Sequence, residues 1–400
     1  MAIRHCIELG YHRSTALRRQ TDPLTAEISK RCFWVAYDID RVAAFILGRP
    51  VGISDSAIDA ELPLDLDDDD VLQLSCLPQT EQVARNQTTD PATAMTGFIH
   101  AVKLRRLWSK IIDTVYHHRH HAQSPAAAMA GCTRQQELIS SLRGEIDQWH
   151  ASTPYFMDFS SPQPLSVFAS REWFQLAYDH TILILNRPYL SLPIEQDGVE
   201  QAVEECCRRA REVCLLYRRL YQNPTIQFTW GSLHILFLAG LTFLYCIWRS
   251  PRTKAAVGLR DVMSTSMACN TVLVIIAERW SQATTYRDLF ESLSERTISM
   301  VCGEAPAAPR ERASSKPHHG SPVRRDTRGE QHQNGTTEAQ EARQNSSGRS
   351  SSSHGHELFD LGILDMAGMS MDVPQESEWL IQGLLQDMKD FGPTVGDALS

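Results

Sequence analysis

Val199, Val203, Cys206, Ala210, Val213, Tyr217 and Leu220 follow one another at spacings of 4, 3, 4, 3, 4 and 3. An α-helix repeats every 3.6 residues, so this spacing holds an apolar stripe on one face for about six turns; a strand would need alternation at every second residue. Such a stripe is a packing seam, and it requires other helices to cover it. The same period runs through the rest of residues 1 to 300. Asp22 reads as an N-cap and Pro23 as the first helical position, and apolar side chains recur at 28, 32, 35, 39, 42 and 46 until Gly48 and Pro50 end the pattern. Met95, Phe98, Val102, Trp108, Ile111, Ile112 and Val115 predict a helix over 95–116, and Leu138, Leu142, Ile146 and Trp149 supply another apolar face. No alternating run is bounded by hairpin turns, so the expected body is all-α, a multi-helix bundle. The Pro- and Asp-containing stretches 62–70 and 152–166 read as its loops.

The most apolar stretch, 232–248, is 17 residues long and includes His234 and Gly240. Its length is at the bottom of the range that crosses a bilayer, and a buried core helix with no membrane partner is the expectation. Charges at 4, 8 and 13 interrupt the first residues where a cleaved leader needs an apolar core. Ala2 to Leu9 reads instead as a helix closed by Gly10, with Ile3, Cys6 and Ile7 buried. Only Met1 precedes it and offers no cap, so the chain is expected to begin inside a domain, leaving the stripe Ile28, Cys32, Val35 and Ile39 uncovered.

Composition changes at residue 304. From there to 356 Pro, Ser, Gly, Gln, Asn, Arg and Glu dominate, with Val323 as the single bulky aliphatic residue. A segment of that kind buries too little surface to offset its ordering entropy, which predicts a disordered linker. Arg310, Arg312, Lys316, Arg324, Arg325 and Arg328 give it a dispersed basic character, as a nuclear-import signal or a solubilising linker has. Residues 357–400 regain hydrophobes and carry nine acidic residues against Lys389 alone, which accounts for −8 of the chain's net −9. The expected divisions are a helical body at 1–303, a linker at 304–356 and an acidic-hydrophobic tail at 357–400.

Chemistry-bearing clusters are sparse. The ten cysteines lack paired spacing, and Cys206, Cys207 and Cys214 lie on or beside the seam, where core packing accounts for them. His117 and His121 stand at i and i+4 without a third ligand nearby in sequence. Asp65 and Asp67 to Asp70 could serve an all-α metal-dependent enzyme by holding magnesium against a diphosphate, but no second acidic cluster completes such a site. Nucleophile-elbow, zincin, phosphate-loop and dinucleotide motifs do not occur in the sequence. No catalytic, cofactor-binding or metal residue is therefore expected, and the chain is not read as an enzyme.

A succession of short phrases resembles one family. Leu9-Gly10-Tyr11-His12-Arg13 is followed by Arg31-Cys32-Phe33-Trp34, Asp38-Ile39-Asp40-Arg41, Leu47-Gly48-Arg49-Pro50 and Ile58-Asp59-Ala60-Glu61-Leu62-Pro63. Ile184-Leu185-Asn186-Arg187-Pro188-Tyr189, Ala239-Gly240, Ala277-Glu278-Arg279-Trp280 and Tyr286-Arg287-Asp288-Leu289-Phe290 come later. Their order and spacing are similar to the regulatory, or middle homology, domain of fungal zinc-binuclear-cluster transcription factors, over residues 1 to about 293. The resemblance implies that Gly10, His12, Trp34, Asp40, Arg41, Gly48, Arg49, Pro50, Pro63, Arg187, Pro188 and Trp280 are fold determinants. Arg41 and Arg49 are expected to act as cations at a helix C-terminus.

The resemblance further implies nuclear control of transcription for a fungal metabolic pathway, either nutrient use or a secondary-metabolite cluster. The tail would contact coactivators or the transcription machinery through Trp379, Leu380, Leu384, Leu385 and Phe391. Family members carry zinc in an N-terminal six-cysteine DNA-reading module, and none of the ten cysteines here has its spacing. DNA would be a partner only through such an upstream module. The alternative is a truncated interaction protein that modulates full-length regulators, as a homo- or heterodimer, without binding DNA itself.

Overall fold

Asp22 and Gly48 bracket helix formation as their chemistry dictates. In the computed structural model, which describes residues 1–17, 22–74, 93–116, 125–153, 170–220, 229–303 and 381–383, the Asp22 carboxylate accepts from the Leu24 and Thr25 amides at 3.3 and 3.1 Å. Pro23 opens the helix Pro23–Leu47, and Gly48 closes it in the left-handed region at φ 61°. Two short helices precede it, α1 (Ala2–Glu8) and α2 (Ser14–Leu17), and make it α3. Then follow α4 (Asp68–Leu74), α5 (Ala94–Ile111), α6 (Pro125–Ala151), α7 (Arg171–Asn186), α8 (Val199–Leu220), α9 (Trp230–Arg249), α10 (Pro251–Ala256), α11 (Leu259–Arg279) and α12 (Thr284–Cys302). Every regular element among the described residues is helical.

The seam that dominates the sequence lies where its period demands. Val199, Val203, Cys206, Ala210, Val213, Tyr217 and Leu220 of α8 are all buried, and α8 packs against α7, α9 and α11. The resulting cluster continues through Leu233, Phe237, Phe243 and Tyr286 into α12. A second cluster joins Phe45 of α3 to Trp108, Ile146, Trp149 and Phe174. A third gathers Ile3, Cys6, Phe33, Trp34, Tyr37, Ile58 and Phe98 at the N-terminal end. In α9 the stretch apolar enough to cross a membrane is 89% buried inside the protein; the corresponding stretch of α11 is 44% buried.

Four expectations need correction. The buried face of α3 is Phe33, Trp34, Tyr37, Arg41, Val42, Ala44, Phe45 and Ile46, so of the predicted apolar positions 42 and 46 are inside, whereas Ile28 and Cys32 are exposed and Val35 and Ile39 half-buried. Aromatic side chains bury far more apolar area than Ile28 or Cys32, and they rotate the helix toward the core. The segment 95–116 is an α-helix only to Ile111; Ile112–Tyr116 continue as a π-helical turn. In α6 the Leu138 position is exposed, and Ile139 takes its place inside. Asp68, Asp69 and Asp70, expected in a loop, form the first turn of α4, where carboxylates face the unpaired amides of a helix start. The expected loop at 152–166 falls outside the described residues from 154 on, as do the linker 304–356 and all of the tail except 381–383.

Candidate functional site

Arg41 is where the early sequence phrases meet. Its side chain is completely buried, and each guanidinium nitrogen has a partner. Nη1 donates to Asp40 at 2.6 Å, Nε to the Ser109 hydroxyl at 2.6 Å, and Nη2 to the Ile53 carbonyl and to Asp55 at 2.7 and 2.9 Å. The group also lies 4.0 Å above the Tyr37 ring, and the Tyr37 hydroxyl donates to Asp55 at 2.8 Å. Burial raises the Tyr37 pKa and keeps the phenol neutral beside that carboxylate. Arg41 is thus a cross-link between α3, α5 and the 50s loop, which corrects its expected role as a cation facing a helix end. Arg49, by contrast, is exposed, as is Pro50.

Neighbouring phrases complete the hub. Asp40 accepts from the Gly52 amide at 3.1 and 3.0 Å through its two oxygens. A Cβ on Gly52 would lie 2.7 Å from both Asp40 Oδ1 and Ile3 Cγ2, so only glycine permits that approach. Gly10 adopts φ 77° and turns the chain so that the His12 carbonyl accepts from the Asp59 and Ala60 amides, each at 3.2 Å. Trp34 Nε1 donates to the Glu61 carbonyl at 2.8 Å, and Pro63 is buried immediately beyond. Buried Glu27 accepts from the Leu64 amide and Arg31 at 2.8 and 3.2 Å. The leucine-glycine-tyrosine-histidine turn, the tryptophan helix and the acid-proline loop therefore bind one another.

The later phrases hold the C-terminal half. Arg187 and Pro188, buried at the end of α7, begin the 3₁₀ turn Arg187–Ser191, and the Asn186 amide donates to Glu205 at 3.2 Å. Glu205 also receives Arg143 at 2.8 Å, while the fully buried Asp179 receives Arg209 at 2.6 Å. Burial raises the Asp179 pKa, and the hydrogen bonds from Gln175 and Arg209 oppose it. Gly240 lets α9 approach closely: a Cβ there would lie 2.6 Å from Phe290 Cε2 and 2.8 Å from Cys269 Sγ. Trp280 packs, partly buried, against the same cluster.

Several of these partners were not singled out in the sequence. Gly52, Tyr37, Asp55, Ser109, Glu205, Asp179 and Arg209 become partners only through tertiary contact. Tyr37 and Arg41 do carry a legible signal, since residues four apart share a helix face. Conversely, the acidic stretch divides: Asp65 accepts from the Thr93 and Thr96 hydroxyls at 2.6 and 2.7 Å, and Asp68 pairs with Arg31 at 2.7 Å. Cys206, Cys207 and Cys214 are buried free thiols, and burial pushes the Cys207 pKa up to about 12. Among the described residues no group of three or more His, Cys, Asp and Glu side chains could hold a metal ion. His117 and His121 lie outside the described residues, and so do Trp379, Leu380, Leu384, Leu385 and Phe391.

Residues 1–151 match the family profile described as the fungal specific transcription factor domain. The positive regulator of purine utilization from Emericella nidulans is 27% identical over 308 residues, covering 68% of this chain and 28% of that protein. The pyrimidine pathway regulatory protein 1 of Saccharomyces cerevisiae is 26% identical, covering 61% of this chain and 25% of that protein. The transcriptional activator protein acu-15 of Neurospora crassa is 27% identical, covering 59% and 24%. Among the first such curated relatives, the chain spans no more than 41% of their length. No solved structure matches. The relatives are transcription regulators and not enzymes. The chain is thus similar at residues 1–151 to the fungal specific transcription factor domain, and its similarity to fungal transcription regulators extends well beyond that stretch.

Proposed function

We propose that the protein regulates transcription of a fungal metabolic pathway in the nucleus, with the helical body as its regulatory domain and residues 357–400 as an acidic activation segment. The single observation that carries this reading is the homology over 308 residues to a regulator of purine utilization. Relatives named for pyrimidine metabolism and for activation support the same class. The Arg41 hub fits a regulatory role better than a chemical one, because its polar groups are consumed by one another and offer no vacant donor set to a substrate. Residues 304–356 join body and tail, and coactivators or the transcription machinery are the partners proposed for the tail. Zinc belongs, in this reading, to a DNA-reading module of the family type and not to the body.

Fusion of residues 357–400 to an unrelated DNA-binding domain tests the activation segment. The fusion is expected to drive a reporter, and replacing Trp379, Leu384 and Leu385 with alanine is expected to abolish the output. Silence of the parent fusion, or equal activity of the alanine form, would overturn it. A fluorescently tagged full chain is expected to concentrate in the nucleus; a cytosolic distribution under all nutrient conditions would overturn that part.

A further inference from the structure

One turn of the tail is seated on the body. Residues 381–383 are helical, although 77 residues separate them from Gly303, where α12 ends. Ile381 is 8% exposed and belongs to the same apolar cluster as Leu190, Leu241 and Tyr245. At Gly383 the approach is closer still. A Cβ there would lie 2.8 Å from Tyr245 Cε2 and within 3.7 Å of Cδ2 and Cζ. The ring has little freedom to yield, because Tyr245 is buried on α9 and its hydroxyl donates to the Leu190 carbonyl at 3.1 Å.

Gly383 does not have the positive φ that would make glycine a conformational necessity. A helical position ordinarily favours alanine over glycine by about 1 kcal/mol. The missing side chain is therefore explained by the ring that it meets. Around it, the sequence places Leu380, Ile381, Leu384, Leu385 and Met388 on one helical face. Charge agrees with the placement. Arg249, one turn after Tyr245 on α9, donates through Nη2 to the Leu192 carbonyl, and its buried Nε has no partner among the described residues. The sequence on either side of 381–383 carries Glu376, Glu378, Asp387 and Asp390. Closing a loop of this length adds an entropic cost that grows only with the logarithm of its length, so a modest apolar face suffices to hold it.

We propose that the turn at residues 381–383 makes the tail an intramolecular ligand of the body, held beside Tyr245 with Gly383 at the point of closest approach. Docking buries the face that the tail would present to a coactivator, so the docked and the partner-bound states exclude each other. That regulatory half rests on the activation role proposed above; the docking itself does not.

The test uses the full chain and the Gly383→Val variant, which adds the excluded Cβ without touching residues 1–303. In hydrogen exchange, amides 381–385 of the wild type should be protected and those of G383V should exchange at least tenfold faster, with the body unchanged. Unprotected wild-type amides, or equal rates in the two chains, would overturn the docking. For the regulatory half, the full chain is fused to an unrelated DNA-binding domain. G383V is expected to raise reporter output at least threefold, and the further replacement of Trp379, Leu384 and Leu385 by alanine to remove that gain. Changed exchange with unchanged output would overturn the competition. A G383V output insensitive to the alanine replacements would overturn the activation reading and leave the exchange result to decide the docking.

Discussion

Arg41 holds four acceptors from a completely buried guanidinium. Its partners Asp40, Asp55 and Ser109 have been withdrawn from most of their water, and deleting one member of such a group leaves the others unpaired. Arg41→Ala is expected to cost about 3 kcal/mol or more, read as a lowered urea midpoint of the helical circular dichroism signal. Arg41→Lys keeps the charge but not the fork that reaches four acceptors, so it should fall between wild type and alanine. A lysine form as stable as wild type would show that only charge matters there.

Buried histidines give a second residue-level expectation. Burial lowers the pKa of His234 and of His100 to about 4 from a model-peptide value of 6.5. Because His234 Nδ1 faces the Trp230 carbonyl at 2.8 Å, it must carry the proton, and Nε2 then accepts from the Tyr286 hydroxyl at 3.1 Å. Both rings are neutral when folded. The unfolded chain takes up protons as pH falls through 6.5, the folded one only near 4, so their stabilisation is complete above about pH 7 and is lost between those values. Each is worth at most on the order of 3 kcal/mol. Melting temperature should drop from pH 7.5 to pH 5, and His234→Phe should flatten that slope while adding a pH-independent loss from the broken His234–Tyr286 hydrogen bond. An unchanged slope in the variant would exclude His234 as a source.

At the scale of elements, close approach between helices decides more than propensity does. Gly240 sits mid-helix in α9, where alanine would normally stabilise. Here the added Cβ would collide with Phe290 and Cys269, so Gly240→Ala is expected to destabilise by about 1–3 kcal/mol. Combining it with Phe290→Leu should recover part of the loss, since the two changes share one space. Additive losses in the double variant would indicate that the contact is not the cause. The same reasoning explains α3. Its ends were legible from Asp22, Pro23 and Gly48, because capping is local chemistry. Its buried face was legible only at Val42 and Ile46, because the rest depends on where Trp34 finds the Glu61 carbonyl and where Arg41 finds Asp55.

Across the whole molecule, charge is unevenly placed. With −8 of the net −9 in the tail and a small positive balance in 304–356, the body carries only about −3. Affinity for nucleic acid comes largely from cations that displace counterions, and this body has no such excess. Purified chain 1–400 is therefore expected to give no sequence-selective, salt-sensitive mobility shift; one that weakened steeply between 50 and 200 mM salt, a range in which phosphate-contacting proteins lose roughly 10³ to 10⁵ in affinity, would overturn this.

By itself, the sequence determined the class of fold and the kinship. A 3.6-residue period is a property of the chain and survives without knowledge of its neighbours, as the fully buried α8 stripe shows. The family phrases were equally legible, because turns and caps need particular residues at fixed spacing. Only the tertiary structure decided what those phrases do together: that the His12 carbonyl holds the Asp59 loop, that Arg41 cross-links α3 to α5, and that Gly383 lies against Tyr245. These contacts join residues between 47 and 138 positions apart. Local patterning does not encode such pairings; the hydrogen bonds and apolar area gained when the faces meet select them.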